Sequence, residues 1–154
     1  MELSNILDLS AVKVAGSVTS KKRLFLDIGE IAHSALGLDR DVAVAALQDR
    51  EKLGPTGVGK GVALPHARLP GLTSVAGAFL RLEKPLGFDS ADRQPVDLIF
   101  VLFAPTDGGV DHLKALAAVS RTMRNEAVCA KLRANSDPAT LHAILTDATN
   151  SKAA

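Results

Sequence analysis

The chain is 154 residues long, 47% apolar and 23% charged, and its 18 Lys and Arg nearly cancel its 17 Asp and Glu to leave a formal charge of +1. This composition excludes wholesale disorder, and the size fits a single domain that buries roughly two-thirds of its unfolded surface. The charge balance, with no Trp or Tyr for base stacking, excludes a nucleic-acid-coating protein and leaves a core of Val, Leu, Ile and Ala.

Thr19 or Ser20 can cap a first helix, because Leu24, Ile28, Ile31, Ala32 and Ala35 recur at helical spacing and Gly37 is placed to end it. Asp39 can cap a second helix, in which Val42, Leu47 and several alanines lead to Arg50 and Gly54. A glycine-rich loop follows, then the short run Val62-Ala63-Leu64, which reads as a strand, and Val75 to Leu82 reads as another. Asp97 to Phe103 is apolar after its first residue, the pattern of a strand buried on both faces. Pro105 to Gly109 reads as a loop, with Asp111 as N-cap of a helix through Leu113, Leu116, Val119 and Met123. Glu126 to Arg133 reads as a short helix, and Asp137-Pro138 opens a last one through Leu141, Ile144 and Leu145. Strands interleaved with helices imply an α/β domain with helices on both faces of the sheet. Residues 1–150 are expected to form that single domain, and residues 151–154 a frayed tail.

The single cysteine, Cys129, permits no internal disulfide and fits a reducing compartment. The N-terminus, Met1-Glu2-Leu3-Ser4, lacks the basic and apolar regions of a signal peptide. No apolar run approaches the ~20 residues that span a bilayer. The expectation is a soluble, cytoplasmic protein without membrane insertion.

Chemistry concentrates between Arg50 and Arg68. A histidine, His66, follows a short apolar run and Pro65, behind a loop holding Gly54, Gly57, Gly59 and Gly61, with Arg50 upstream and Arg68 two residues on. Successive N–H groups of a glycine-rich turn can form an anion-binding concavity. Neutral imidazole is a good nucleophile near neutral pH, and phosphoryl transfer needs chiefly in-line positioning and charge stabilisation on the equatorial oxygens. His66 is therefore the candidate phosphoryl acceptor. Arg50, the Thr56 hydroxyl and the N–H groups around Gly57, Gly59 and Gly61 are the candidate stabilisers, with no metal or other cofactor required. His112, beside Gly108-Gly109, is placed to reach the same pocket.

Other readings fare worse. Gly54-x-x-x-x-Gly59-Lys60 matches a nucleotide P-loop up to the lysine, but Gly61 replaces the magnesium-binding hydroxyl and the loop leads from helix to strand, the reverse of a P-loop. His33, His66, His112 and His142 have no metal-motif spacing, and His33 and His142 read as partly exposed helix residues. Cys129, among Val128, Ala130 and Leu132, reads as a buried thiol, not a nucleophile. Lys60 reads as solvated.

The stretch from Arg50-Glu51 through Thr56-Gly57-Val58-Gly59-Lys60-Gly61-Val62-Ala63-Leu64-Pro65-His66 resembles the signature of the enzyme IIA proteins, fructose/mannitol type, of the bacterial phosphoenolpyruvate-dependent phosphotransferase system. Ser20-Lys21-Lys22, Phe88-Asp89, Gln94 to Phe100 and His112-Leu113 extend the likeness over almost the whole chain. The resemblance implies a mixed β-sheet sandwiched between helices. It also implies a phosphoryl group received on His66, on Nε2, from an HPr-like histidine phosphocarrier, with Arg50 stabilising phosphate charge and His112 orienting the phosphorylated ring. The nitrogen-regulatory members of that family resemble the chain more, through Ser20-Lys21-Lys22 and Arg50 to Gly54. No IIB or membrane segment follows, which favours regulation of protein targets such as potassium-uptake or sensor-kinase components. The alternatives are a sugar-specific IIA serving a separate IIB, and a binding module that is never phosphorylated.

Overall fold

The structure, a computed structural model, describes residues 1–147, so the tail expected at 151–154 lies outside the described residues. A short 3-10 turn, Leu3–Asn5, leads into β1 (Leu7–Ala15). Two helices follow, α1 (Lys21–Leu36) and α2 (Arg40–Lys52), then β2 (Gly57–Gly59), β3 (Val62–Ala63), β4 (His66–Leu69), β5 (Ala76–Leu86) and β6 (Val96–Pro105). Helices α3 (Gly109–Met123), α4 (Glu126–Arg133) and α5 (Pro138–Thr146) complete the described chain.

Local chemistry sets most helix starts. Ser20 Oγ accepts from Arg23 N–H and Asp39 Oδ1 from Val42 N–H, and Asn125 and Asp137 cap α4 and α5 in the same way. Helix α3 departs from the expectation. It begins at Gly109, with Gly108 before it making no side-chain cap, and Asp111 lies in the first turn. Its buried stripe runs through His112, Ala115, Ala118, Val119, Thr122 and Met123, while Leu113, expected inside, is 67% exposed. Leu113 is turned ~100° around the helix from His112 and falls outside that stripe.

The sheet is mixed, in the order β1-β5-β6-β3-β2, with β4 also on β6. β5 and β6 are antiparallel, while β1 pairs with β5, and β3 and β4 pair with β6, in parallel. β3 and β4 continue each other along one edge of β6: Val62 and Ala63 face Leu98 and Ile99, and His66 faces Leu102. Pro65 falls in the gap, where it has no N–H to give and its carbonyl accepts from Leu102. The expected glycine loop is in part a hairpin, β2 turning back into β3 at Lys60-Gly61 with φ of 56° and 80°. Both residues of such a two-residue turn need positive φ. A Cβ at Gly61 would also stand 2.5 Å from Arg133 Nη2.

Two cores flank the sheet. One unites Leu24, Phe25 and Ile28 of α1 and Val44 and Leu47 of α2 with Leu80, Val101 and Phe103. The other unites Val119, Val128, Leu132, Leu141 and Leu145 of α3 to α5 with Phe79, Leu98, Phe100 and Leu102. β6 therefore contributes alternate residues to both, as its unbroken apolar run predicted. α1 and α2 pack closely because Gly29 has no Cβ, which would meet Val44 Cγ2 at 2.4 Å. The fold is an α/β sandwich with a mixed sheet between helices, as expected.

Cys129 is 6% exposed, its Sγ pointing at the Met123 carbonyl 3.2 Å away, and burial pushes its thiol pKa up. Native protein should therefore react with an alkylating reagent at least ~10-fold more slowly than denatured protein at pH 8, measured as loss of free thiol over time. Equal rates would contradict the buried thiol.

Candidate functional site at His66

β4 has one ladder partner among the described residues, β6, so its other edge is open. Ala67 and Leu69 enter the core of α1 and α2. Alternation then turns His66 and Arg68 to the opposite face, towards α3. At this open edge groups from both helical layers converge on one imidazole.

His66 Nδ1 lies 2.9 Å from the Leu64 carbonyl. A carbonyl only accepts, so Nδ1 carries the proton and Nε2 keeps its lone pair. Arg50, in the last turn of α2, donates from Nε to that Nε2 at 3.3 Å and from Nη1 to the Gly54 carbonyl at 2.9 Å. From the other side His112, in the first turn of α3, meets the His66 ring edge-on, with centroids 5.7 Å apart and planes at 67°. His66, Arg50 and His112 are thus assembled in one place.

The other expected stabilisers are placed differently. Thr56 is buried and donates its hydroxyl proton to Glu51 Oε1 at 2.5 Å, and its N–H to Oε2 at 2.9 Å, so neither is directed at His66. Gly57 pairs with Ala63 and packs against Ser90, where a Cβ would stand 2.1 Å from Oγ. Gly59 precedes the hairpin turn and Gly61 lies in it, and Gly61 O accepts from the N–H groups of Asp97 and Leu98. Leu98 is four residues along β6 from the partner of His66, about 13 Å at ~3.3 Å per residue. The contacts these glycines make are those of close packing and turn geometry. Lys60 is exposed, and its Nζ pairs with Glu126 at 2.9 Å.

Of the remaining histidines, His33 Nδ1 contacts the Leu38 carbonyl and His142 Nε2 the Leu7 carbonyl, both in hydrogen bonds away from the site. Among the described residues no group of three or more His, Cys, Asp or Glu side chains is arranged to hold a metal ion. Sequence reasoning missed the part played by Glu51, although it lies beside Arg50. Leu53, Val110 and Leu113, on the segments that carry Arg50 and His112, leave large apolar side chains exposed.

His112 is 8% exposed and its Nε2 has no hydrogen-bond partner. Burial, then the charges of His66 and Arg68, hold its pKa below the ordinary 6.5. A histidine whose folded pKa is depressed leaves stability intact above ~6.5, and stability falls as pH drops from there through the folded value. Ring-proton NMR should therefore place the His112 midpoint below 6.5, and His112→Gln should flatten the decline in stability as pH drops below ~6.5. A midpoint above 6.5 would contradict a neutral buried ring.

The sequence and the fold both have known relatives. The model of the family "phosphoenolpyruvate-dependent sugar phosphotransferase system, EIIA 2" matches residues 5–148. A nitrogen regulatory protein of Bradyrhizobium diazoefficiens is 41% identical over 145 residues, which cover 94% of this chain and 95% of that one. The crystal structure of nitrogen regulatory protein IIA-Ntr from Neisseria meningitidis has a TM-score of 0.86 at 38% identity, covering 94% of this chain and 99% of that chain. IIA mannitol from Escherichia coli shares the fold at a TM-score of 0.75 and 18% identity, over 90% of this chain and 97% of its own. The chain belongs to the EIIA 2 family of the phosphoenolpyruvate-dependent sugar phosphotransferase system.

Proposed function

We propose that the protein is a phosphocarrier of the nitrogen-regulatory type, which takes a phosphoryl group onto His66 Nε2 and regulates partner proteins according to its phosphorylation state. The observation that carries this is the His66 ring itself, with its proton held at Nδ1 by Leu64 O and Arg50 Nε–H 3.3 Å from the free Nε2. The Nε2 lone pair attacks phosphorus on the donor's phosphohistidine. The new N–P bond forms as the donor's breaks, and the donor imidazole leaves with the electron pair. Arg50 then turns its donors from Nε2 to the phosphoryl oxygens, and the unpartnered Nε2 of His112 supplies another group beside them.

An HPr-like phosphocarrier is the donor in this reading. The exposed Leu53, Val110 and Leu113 around the site favour a protein over a small molecule as donor. No helix among the described residues is long and apolar enough to cross a membrane, and a cytoplasmic location fits the reading. A phosphoryl group adds about −1.5 to −2 of charge, by analogy with other phosphoresidues, enough to change which surfaces the protein can approach. Targets such as potassium-uptake or sensor-kinase components suit such a switch.

Intact-mass analysis after incubation with phosphoenolpyruvate, enzyme I and the phosphocarrier tests this directly, with His66→Ala alongside. One acid-labile phosphoryl group on the native chain and none on His66→Ala is expected. No uptake from a fully charged donor would favour a contact-only module, and efficient onward transfer to a IIB protein would favour a sugar-specific carrier.

A further inference from the structure

Glu51 has a nearly buried carboxylate with hydrogen-bond partners on both oxygens. Its side chain is 9% exposed. Oε1 accepts from the Thr56 hydroxyl, and Oε2 accepts from Thr56 N–H and, at 2.6 Å, from Lys21 Nζ. Lys21 is the first residue of α1, placed there by the Ser20 cap. Its ammonium also donates to the Phe88 carbonyl at 3.2 Å and sits 4.4 Å over the Phe88 ring. The carboxylate therefore joins the start of α1, the end of α2, the loop into β2 and the connection between β5 and β6. A buried charge of this kind is costly unless fully paired, and here each oxygen has a partner.

Two routes lead from this carboxylate to His66. Along the first, Thr56, held through its N–H and hydroxyl, accepts at its own carbonyl from Leu64 N–H at 2.9 Å. The Leu64 carbonyl is the acceptor of His66 Nδ1–H. Along the second, the 50–56 loop that the carboxylate closes presents Gly54 O to Arg50 Nη1, which aims Arg50 Nε at His66 Nε2. One side chain thus governs what both ring nitrogens meet.

We propose that Glu51, anchored by Lys21, is a positioning residue that sets the tautomer of His66 and the aim of Arg50. The proposal rests on the phosphocarrier reading for its consequence and on geometry alone for the tautomer. It also gives a physical use to Ser20-Lys21-Lys22, which the acceptor site by itself does not explain. Ser20 starts the helix so that Lys21 meets Glu51.

The test combines ¹⁵N NMR of the histidine rings with transfer kinetics on the full chain. Native protein should show His66 protonated at Nδ1. Glu51→Ala should give a mixture of tautomers and transfer slowed about 10-fold or more, since small misplacements of reacting groups carry large kinetic costs. Glu51→Gln should largely restore both readouts, because its amide oxygen can accept from Thr56 N–H and its NH₂ can donate to Thr56 Oγ1. Thr56→Val and Lys21→Met should shift the tautomer in the same direction as Glu51→Ala and by less, and they decide the matter if Glu51→Ala does not fold. A folded Glu51→Ala with the native tautomer and native transfer rate overturns the proposal, whatever its unfolding midpoint, as that is the result of a purely structural carboxylate. If native protein accepts no phosphoryl group, the phosphocarrier reading fails separately. The tautomer comparison then decides alone, a shift upholding the positioning role and no shift overturning it.

Discussion

Arg50→Ala should slow phosphoryl transfer through His66 about 10²–10³-fold, the usual loss when one preorganised charge-stabilising donor is removed. Its Nε is 3.3 Å from the nitrogen that would bear the phosphoryl group, and its Nη1 is pinned to Gly54 O. The guanidinium can therefore exchange a ring nitrogen for phosphoryl oxygens without leaving its anchor. Arg50→Lys should recover only part of the rate, because one ammonium cannot reproduce the planar fork that meets both partners. The fold should survive either change, as the residue is half-buried and its loss leaves one carbonyl without a donor, a cost of about 1–3 kcal/mol if that carbonyl stays dry. Stopped-flow transfer from a phosphorylated donor, with circular dichroism as control, provides the measurement. Near-native transfer by a folded Arg50→Ala protein would remove Arg50 from the mechanism.

The largest stability effect should come from Phe100→Ala, about 3–5 kcal/mol. Phe100 lies on β6 with no exposed surface, its ring edge-on to Phe79 at 6.1 Å and 61°. It also fills the space left by Gly77, where a Cβ would stand 3.0 Å from Cε1. Truncation removes apolar burial and an aromatic pair together, and leaves a cavity between the sheet and helices α3 to α5. Against the ~5–15 kcal/mol that stabilises a typical domain, the loss is a large share. Urea unfolding should show a much lower midpoint at an unchanged slope. A loss below ~1 kcal/mol would mean that the neighbouring side chains collapse into the space.

Much of the helical framework is readable from neighbours in the chain. The boundaries at Ser20, Asp39, Asn125 and Asp137 follow from side chains that bond an N–H two or three residues on. β6 is equally plain, since a run from Leu98 to Phe103 leaves no polar face to turn outward. β1 and β4 are a different matter. Leu7-Asp8-Leu9-Ser10 alternates, but Leu9 proves to be exposed, and β1 becomes a strand by lying parallel to β5. β4 is four residues whose identity as a strand rests on the ladder to β6. Asp111 has the chemistry of a cap, yet α3 starts two residues earlier.

The site divides along the same line. His66, Arg50 and His112 announce themselves by residue type within a long motif, and the motif alone was enough to point to phosphoryl transfer. Thr56, Gly57, Gly59 and Gly61 belong to that motif too, but their partners are Glu51, Ser90, Arg133 and the start of β6. Residue types and short-range spacing thus determined the class of protein, its helices and the candidate histidine, because capping, periodicity and imidazole chemistry act within a few residues. The tertiary structure alone decided what holds the Nε2 of His66 free, what the glycines of the motif pack against, and that Lys21 and Glu51 stand behind the site, because hydrogen bonds and close contacts between distant segments exist only once the sheet has set their register.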